Sequence, residues 1–157
     1  MNQKEQTEAP LIHSGEWKIH YDYAVGETAT QFFLRLRDQG KIAGKKCPSC
    51  QGVLVPPRAF CERCFVQTEE WVDVGPEGTI EAFTIVYEPF DGLPEPPYAV
   101  AYVTLDGATT AMANFVRALD LSDPEVAARQ LAVGNRVEAV FADAREGAVT
   151  DFYYRLM

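Results

Sequence analysis

The second half of the chain has the spacing of apolar side chains that is typical of β-strands. Segments rich in β-branched and aromatic residues are each bounded by Gly, Pro or Asp. After EWVDV and a PEG turn, the pattern predicts five main strands, in TIEAFTIVY, YAVAYVTLD, TTAMANFVRA, RVEAVFADA and VTDFYYRL. Residues 123–132, between the third and fourth of these, predict a short helix that Asp123 caps, Pro124 begins and Gly134 follows. This order of elements is that of an OB-fold barrel.

Two of the predicted strands, TIEAFTIVY and YAVAYVTL, are apolar on both faces. One face of each is expected to line the barrel interior. The opposite face is expected to carry Phe83, Ile85 and Tyr87 in the first strand and Tyr98, Val100 and Tyr102 in the second. Such a second apolar face needs cover from the N-terminal arm, the helix or a partner protein. In RVEAVFA the alternation is clean, with Val137, Ala139 and Phe141 predicted to point inward.

The segment GETATQFFLRLRDQG predicts a short amphipathic helix of about three turns. Phe32, Phe33 and Leu36 supply its apolar stripe, and either Thr28 or Thr30 is expected to cap it. Gly40 is expected to end it.

The first 25 residues have no clear periodicity and few aliphatic side chains, which indicates an N-terminal arm. We expect its aromatic residues, Trp17, Tyr21 and Tyr23, to pack on the body of the protein rather than on another subunit.

Composition fits one domain, or one domain with a small satellite: the chain has 157 residues and is 47% hydrophobic. No apolar run approaches the roughly 20 residues needed to span a bilayer, and the N-terminus lacks the basic and apolar regions of a secretory signal. We therefore expect a soluble cytoplasmic protein that does not enter the membrane.

Charge is unevenly distributed along the chain. The net charge of −9 argues against non-specific binding of a phosphate backbone. Residues 35–63, however, hold seven Lys and Arg against two Asp and Glu, a net charge of +5. This basic segment coincides with the cysteine region.

The four cysteines form two C-x2-C pairs, ten residues apart: Cys47 with Cys50, and Cys61 with Cys64. In a cytosolic chain this spacing predicts a tetrahedral metal site rather than a disulfide frame. Iron in a rubredoxin-like site uses the same ligands, but nothing nearby suggests an electron-transfer partner, so zinc is favoured. Four protein ligands leave no open position on the metal, which is therefore structural. We expect chelation to collapse residues 41–66 and to leave much of the barrel intact.

Catalysis by this chain alone has little support. With all cysteines on the metal, no thiol nucleophile remains, and both histidines, His13 and His20, lie in the arm. No G-x-S-x-G, P-loop or G-x-G-x-x-G motif is present. The chain is divided into the arm (1–25), the helix (26–40), the zinc ribbon (41–68) and the OB-fold domain (69–157).

The helix FFLRLRDQGKI running into KKCPSC, and then VPPRAFCERC, resembles a known family: the acyl-CoA-associated OB-fold proteins with an N-terminal rubredoxin-like zinc ribbon. GTIEAFTIVY, PPYAVAYVTLDGATTAMANFV and VGNRVEAVF resemble the OB-fold half of that family, so that the resemblance covers about residues 26–157. It implies a mainly β fold of helix, zinc ribbon and five-stranded barrel. One departure is the ending TDFYYRLM, which is more aromatic than is expected for the family.

The function that the resemblance implies is that of a non-catalytic accessory subunit in an acyl-CoA thiolase complex. A thiolase-like partner would hold the nucleophilic cysteine in a hetero-oligomer, and a CoA thioester would be the ligand of the complex. Lys45, Lys46 and Arg58 are candidates to contact the CoA phosphates or an acidic rim of the partner.

Two other functions stay open at this stage. OB-folds and zinc ribbons also bind single-stranded nucleic acid, and Phe83, Tyr87 and Tyr102 are candidates for stacking on bases. Against this, the only cation from Gly78 to Arg117 is Arg117 itself, in a segment with five carboxylates. The third possibility is a free-standing CoA-binding or hydrolase domain.

Overall fold

The computed structural model describes residues 11–15 and 19–157. Its helices are α1 (Glu27–Gln39) and α2 (Pro124–Gln130). Its strands are β1 (Ile42–Lys46), β2 (Val53–Leu54), β3 (Phe60–Cys61), β4 (Val66–Gln67), β5 (Glu70–Val74), β6 (Glu77–Val86), β7 (Tyr98–Leu105), β8 (Met112–Val116), β9 (Arg136–Phe141) and β10 (Phe152–Leu156). The predicted fold class is confirmed: mainly β, with an N-terminal helix, a cysteine-bearing ribbon and a five-stranded barrel.

The barrel is closed, with strand order β10-β8-β7-β6-β9. β8 and β10 run parallel, whereas the other neighbouring strands are antiparallel. The interior is filled by side chains, among which Ile80, Val103, Val137 and Tyr154 are fully buried. Val137 and Ala139 point inward on β9 as predicted, and Phe141 packs against the same core.

β6 contains a β-bulge between Ile80 and Ala82. Its extra residue shifts the alternation, so that the positions that face inward before the bulge and those that face inward after it differ by one residue. Beyond the bulge Phe83 lies opposite Ala101, whose side chain is fully buried. Phe83 and Ile85 consequently pack against the barrel core. The prediction that these two residues lie on the outer face is therefore wrong, because a period-two pattern cannot register the extra residue of a bulge.

The outer face of β7 carries the apolar residues predicted for it. Tyr98, Val100 and Tyr102 alternate with buried residues, and Tyr102 is 53% exposed. Tyr98 packs edge-on against Phe115 of β8, with 5.7 Å between ring centroids. Tyr87, just beyond β6, is also exposed, and its hydroxyl donates to a backbone carbonyl.

The ribbon is built on a three-stranded antiparallel sheet of order β2-β1-β5 that is joined to the barrel. Val53 and Val55 belong to the same buried cluster as the barrel interior. The hydroxyl of Thr109 donates to the carbonyl of Val53 at 2.9 Å, and that of Thr110 to the carbonyl of Val55 at 2.8 Å. Within the segment 69–157, β5 thus pairs with the ribbon, and the barrel begins at β6.

Glycine sets both ends of α1. The helix begins after Gly26, which has φ 81° and caps it without a side chain. The prediction of a Thr28 or Thr30 cap is therefore wrong, and the Thr30 hydroxyl instead donates back to the carbonyl of Gly26 at 2.7 Å. Gly40 ends the helix in the left-handed conformation, as predicted. Leu36 of the predicted apolar stripe is fully buried.

The predicted start of α2 is confirmed. Pro124 takes the first position of the helix. The carboxylate of Asp123 accepts hydrogen bonds from the backbone N–H groups of Glu125, at 2.9 Å, and Val126, at 3.1 Å.

The described part of the arm does not pack on the body as expected. Tyr21 and Tyr23 contact each other, with ring centroids 6.0 Å apart, and remain about three-quarters exposed. Trp17 lies outside the described residues.

Candidate metal centre and the ribbon surface

Two similar turns hold the four cysteines. In the first turn, the N–H of Gln51 donates to the carbonyl of Cys47 at 2.9 Å; in the second, the N–H of Phe65 donates to that of Cys61 at the same distance. Gln51 and Phe65 both have a left-handed backbone, with φ of 61° and 56°. Each turn therefore folds back on itself and presents two thiols on one side. We call these turns knuckle 1 (residues 47–52) and knuckle 2 (residues 59–67).

The four sulfur atoms of the two knuckles all lie within 4.8 Å of one another. The pair Cys50 Sγ and Cys61 Sγ is 4.0 Å apart. Four sulfurs bound to zinc at about 2.3 Å in a tetrahedron lie about 3.8 Å from each other. The spacing of the thiols thus fits a tetrahedral ion after a small contraction. The residues of this cluster are Cys47, Cys50, Cys61 and Cys64.

Burial and the neighbouring thiols make the thiolate form of Cys64 unfavourable without a cation. Cys47 and Cys61 are fully buried. The hydroxyl of Ser49 lowers the pKa of the Cys64 thiol, but hydrogen bonds with the other thiols and burial raise it to about 11. A divalent ion supplies the charge that allows all four sulfurs to ionise together. With four protein ligands it has no position for water or substrate, so its role is to fasten knuckle 1 to knuckle 2.

Lys45 and Lys46, the two lysines predicted to contact CoA or a partner, are engaged with the neighbouring strand β5. The ammonium of Lys45 donates to the carbonyl of Glu69 at 2.5 Å and lies 5.3 Å from the ring centroid of Trp71. The ammonium of Lys46 lies 3.7 Å from the carboxylate of Glu70. Both contacts are at the surface, and an exposed ion pair such as that of Lys46 contributes about 0–1 kcal/mol and exchanges readily with other anions.

Arg58, the third residue predicted to contact CoA or a partner, lies in the loop that leads into knuckle 2. Its guanidinium pairs with the carboxylate of Glu62, four residues ahead in sequence. That hydrogen bond holds the pKa of Glu62 below its usual value. The structure thus puts Arg58 beside the metal centre and the two lysines on the sheet.

A second charged group on the ribbon was not predicted from the sequence. Asp73 on β5 accepts a hydrogen bond from Lys41 at 2.6 Å and lies 3.9 Å from Arg35 of α1. The guanidinium of Arg35 also lies 4.8 Å from the ring centroid of Trp71, and its buried Nε has no hydrogen-bond partner among the described residues. No local pattern links residue 35 to residues 71–73, because only the pairing of β1 with β5 brings them together.

A second unpredicted feature is an exposed aromatic pair on knuckle 2. Phe60 is 45% exposed and Phe65 is 77% exposed, and their rings meet edge-on with centroids 6.0 Å apart. The sequence holds a signal for Phe65: it directly follows the second cysteine of a C-x2-C turn, where the chain must reverse and left-handed backbone is common.

A cleft of about 400 Å³ lies between the ribbon sheet and the barrel, with Ile42, Val74 and Phe141 among its apolar lining residues. The ionisable side chains of this lining are Lys41 and Asp73, which pair with each other. The cleft therefore offers an apolar wall and a neutral ion pair, but neither a nucleophile nor a free base.

Family models match both halves of this architecture. Residues 35–70 match the ChsH2 rubredoxin-like zinc ribbon domain. Residues 71–142 match the ChsH2 C-terminal OB-fold domain, so that the two matches together span more than half of the chain. The chain belongs to the ChsH2 family. The resemblance to OB-fold proteins with a rubredoxin-like zinc ribbon is thereby confirmed.

Solved structures share the fold of this ChsH2-family chain. A protein of unknown function from the DUF35 family of Sulfolobus solfataricus is 23% identical, with a TM-score of 0.62 over 84% of this chain and 87% of that one. An Ltp2-ChsH2(DUF35) aldolase chain is 17% identical, with a TM-score of 0.61 over 85% of this chain and 98% of that one. No curated protein sequence is significantly similar. Among the described residues, no helix has the length and apolar character to cross a membrane.

Proposed function

We propose that this chain is a non-catalytic accessory subunit of a thiolase-type enzyme complex that acts on CoA thioesters. The observation that carries the proposal is the use of the thiols: all four cysteines of the chain converge on one metal site. Thiolase-type carbon–carbon bond chemistry needs a nucleophile, which must then come from another subunit. The aldolase whose fold this chain shares pairs a ChsH2 (DUF35) chain with a second protein, Ltp2.

The metal in this proposal is structural zinc, held by Cys47, Cys50, Cys61 and Cys64. The proposed role of the zinc ion is to hold the two knuckles together, so that they form a rigid surface beside the barrel. The purified chain is expected to contain one zinc ion and no iron, which elemental analysis by mass spectrometry measures directly. Iron at one equivalent, with the visible absorption of a tetrathiolate centre, would contradict the assignment to zinc.

The ribbon is the proposed place of contact with CoA or with the partner. Lys45 and Lys46 of β1 and Arg58 before knuckle 2 are the proposed contact residues. Each already has a carboxylate or carbonyl oxygen beside its cationic group. A phosphate or a carboxylate of the partner would exchange with these oxygens at little cost, since surface pairs of this kind are weak.

The narrower identity that we propose is the small subunit of a benzoylsuccinyl-CoA thiolase of anaerobic toluene degradation. It rests on the sequence resemblance, in which the acidic chain and its long N-terminal arm most resemble that subunit. The substrate is therefore proposed to be a CoA thioester whose acyl group carries an aromatic ring. Thiolysis of benzoylsuccinyl-CoA by the assembled complex, and by neither subunit alone, is the expected result.

The decisive experiment is affinity purification of the native protein, followed by identification of what accompanies it. A thiolase-like subunit with a reactive cysteine is expected at a fixed stoichiometry. Turnover of acyl-CoA by the purified chain alone would contradict the accessory role. So would a preparation that contains no thiolase-like protein but remains active on CoA thioesters.

A further inference from the structure

The backbone of knuckle 2 places a large aromatic residue where the fold disfavours one. In the described part of the chain, three residues other than glycine have positive φ: Gln51, Phe65 and Ala118. Phe65 is the bulkiest of them, and bulky residues rarely adopt this conformation because the Cβ atom crowds the neighbouring carbonyl. Strain that the surrounding structure maintains is a recognised mark of functional positions.

Knuckle 1 provides an internal comparison, because Gln51 occupies the equivalent position. Its side-chain amide donates to the carbonyl of Pro48 at 2.8 Å, so this left-handed residue stabilises its own turn. Phe65 has no such contact. Its ring is 77% exposed and meets the Phe60 ring, itself 45% exposed, in an edge-to-face arrangement. Phe65 therefore contributes little to the fold that holds it.

The metal centre and the charges nearby make this aromatic pair suitable for docking. Knuckle 2 is tied to the buried thiol cluster through Cys61 and Cys64, so the two rings are presented on a rigid support. Arg63 lies between these cysteines, is exposed and forms no ion pair among the described residues. The carboxylate of Glu62, by contrast, forms an ion pair with Arg58. The net charge of Arg58, Glu62 and Arg63 on this part of the ribbon is thus +1.

We infer that Phe65, with Phe60 beside it, is an anchor that inserts into an apolar pocket with an acidic rim on the thiolase-like subunit. This inference rests on the proposed function and names the surface through which that complex forms. An aromatic side chain that enters a pocket is the kind of residue that dominates binding at interfaces, and Arg63 matches a carboxylate on the pocket's rim.

The test measures the affinity between the full-length chain and the thiolase-like subunit that accompanies the wild type, by isothermal titration calorimetry. F65G and F65N remove the ring, and both replacement residues tolerate positive φ. Q51G is the matched control, since it makes the same backbone change in knuckle 1. We expect F65G and F65N to bind at least about tenfold more weakly. Q51G should stay within about twofold of the wild type.

Metal content and thermal unfolding separate loss of the anchor from loss of the fold. Both Phe65 variants are expected to keep the metal content of the wild type, and F65G to unfold at the same or a higher temperature, because the strain is relieved. R63E is expected to weaken binding without a change in metal content. Affinities of F65G and F65N within twofold of the wild type would overturn the inference and leave the proposed function standing.

Two further outcomes also decide the matter. If the wild type binds no thiolase-like subunit, the proposed function fails, and the inference fails with it before any variant is made. If sedimentation velocity shows that the wild type self-associates, and F65G abolishes this while keeping its affinity for the partner, the aromatic pair joins two copies of this chain. That result would overturn the inference as well.

Discussion

Removal of the metal is expected to unfold the two knuckles and to leave the ribbon sheet in place. The structure divides the ribbon into two parts that differ in what supports them. Ile42 and Val53 of the sheet, and Val55 directly after β2, are buried in the same cluster as the barrel interior. Cys47, Cys61 and Cys64 instead form a small separate cluster with Leu54 and the partly buried Val66. The sequence alone predicted that residues 41–66 collapse together. From the structure we expect only residues 47–52 and 59–67 to unfold.

The magnitudes support this division. Full burial of an aliphatic side chain contributes about 1.5–3 kcal/mol, so that the buried Leu54 and the partly buried Val66 together supply roughly 2–5 kcal/mol to the knuckles. A structural zinc ion contributes about 10–16 kcal/mol. Ordering the two knuckles costs about 1–2 kcal/mol for each backbone residue, which the small cluster alone cannot offset. Burial of Ile42, Val53 and Val55 still stabilises the sheet by roughly 5–9 kcal/mol when the metal is absent.

Limited proteolysis with trypsin distinguishes the two parts, because each contains cleavage sites. Arg58 and Arg63 lie in or beside knuckle 2, whereas Lys41 and Lys45 lie at or within β1. After the metal is removed with a chelator, cleavage after the two arginines should become at least about a hundredfold faster, since a local loss of about 3 kcal/mol has this effect. Cleavage after the two lysines should change little. Equal acceleration at all four sites, or at none, would refute the reasoning.

Two other properties of the barrel are open to direct measurement. Burial raises the pKa of the Asp151 carboxyl, but hydrogen bonds from three backbone N–H groups outweigh it, so that the net pKa lies below its usual value. A lowered pKa means stability that is present at neutral pH and lost as the pH falls; D151N should cost about 1–3 kcal/mol in urea unfolding at pH 7 and less near pH 3. The bulge in β6 predicts that F83S destabilises the protein by about 2–4 kcal/mol and Y102S by less than about 1 kcal/mol. Equal effects of F83S and Y102S would contradict the assigned faces, and a pH-independent cost of D151N would contradict its titration.

Local signals predicted much of the fold. Turn residues and apolar spacing located the barrel strands, and the Asp-Pro start of α2 was correct because capping depends on neighbours in sequence. One error arose where the partner is distant, and another where the sequence offered a side-chain cap that the helix does not use. The bulge between Ile80 and Ala82 exists only in the pairing of β6 with β7, and no short pattern encodes it. At α1 the capping residue has φ 81°, a backbone conformation that glycine adopts readily and threonine does not, so Gly26 rather than Thr28 or Thr30 takes that position.

In the candidate site, too, the features set by neighbours in sequence were predictable and those set by strand pairing were not. The two C-x2-C turns are local, so the sequence was enough to bring all four thiols to one centre. The surroundings of the lysines were not predictable, because Glu69 and Glu70 reach Lys45 and Lys46 only through the pairing of β1 with β5. The exposure of Phe65 required both the course of the backbone and the absence of a neighbour that covers it.

The net charge of +5 on residues 35–63 does not produce a basic surface, because carboxylates close in space neutralise most of it. Extending the segment through β5, to residue 74, adds three carboxylates and leaves +2. Zinc with four thiolates carries −2, so the ribbon as a folded unit is close to neutral. A CoA phosphate that reaches Lys46 must then replace the carboxylate of Glu70, 3.7 Å away, rather than fill a vacant charge.

This competition gives a test of whether Lys46 contacts CoA. If it does, E70Q removes the competitor and should lower the KM of the assembled complex for acyl-CoA by about two- to fivefold, the size of an exposed ion pair. K46A should raise the same KM, and E70Q combined with K46A should match K46A alone. If Lys46 serves only to balance the charge of the ribbon, E70Q leaves the KM unchanged. An unchanged KM for both single variants would remove Lys46 from the CoA path.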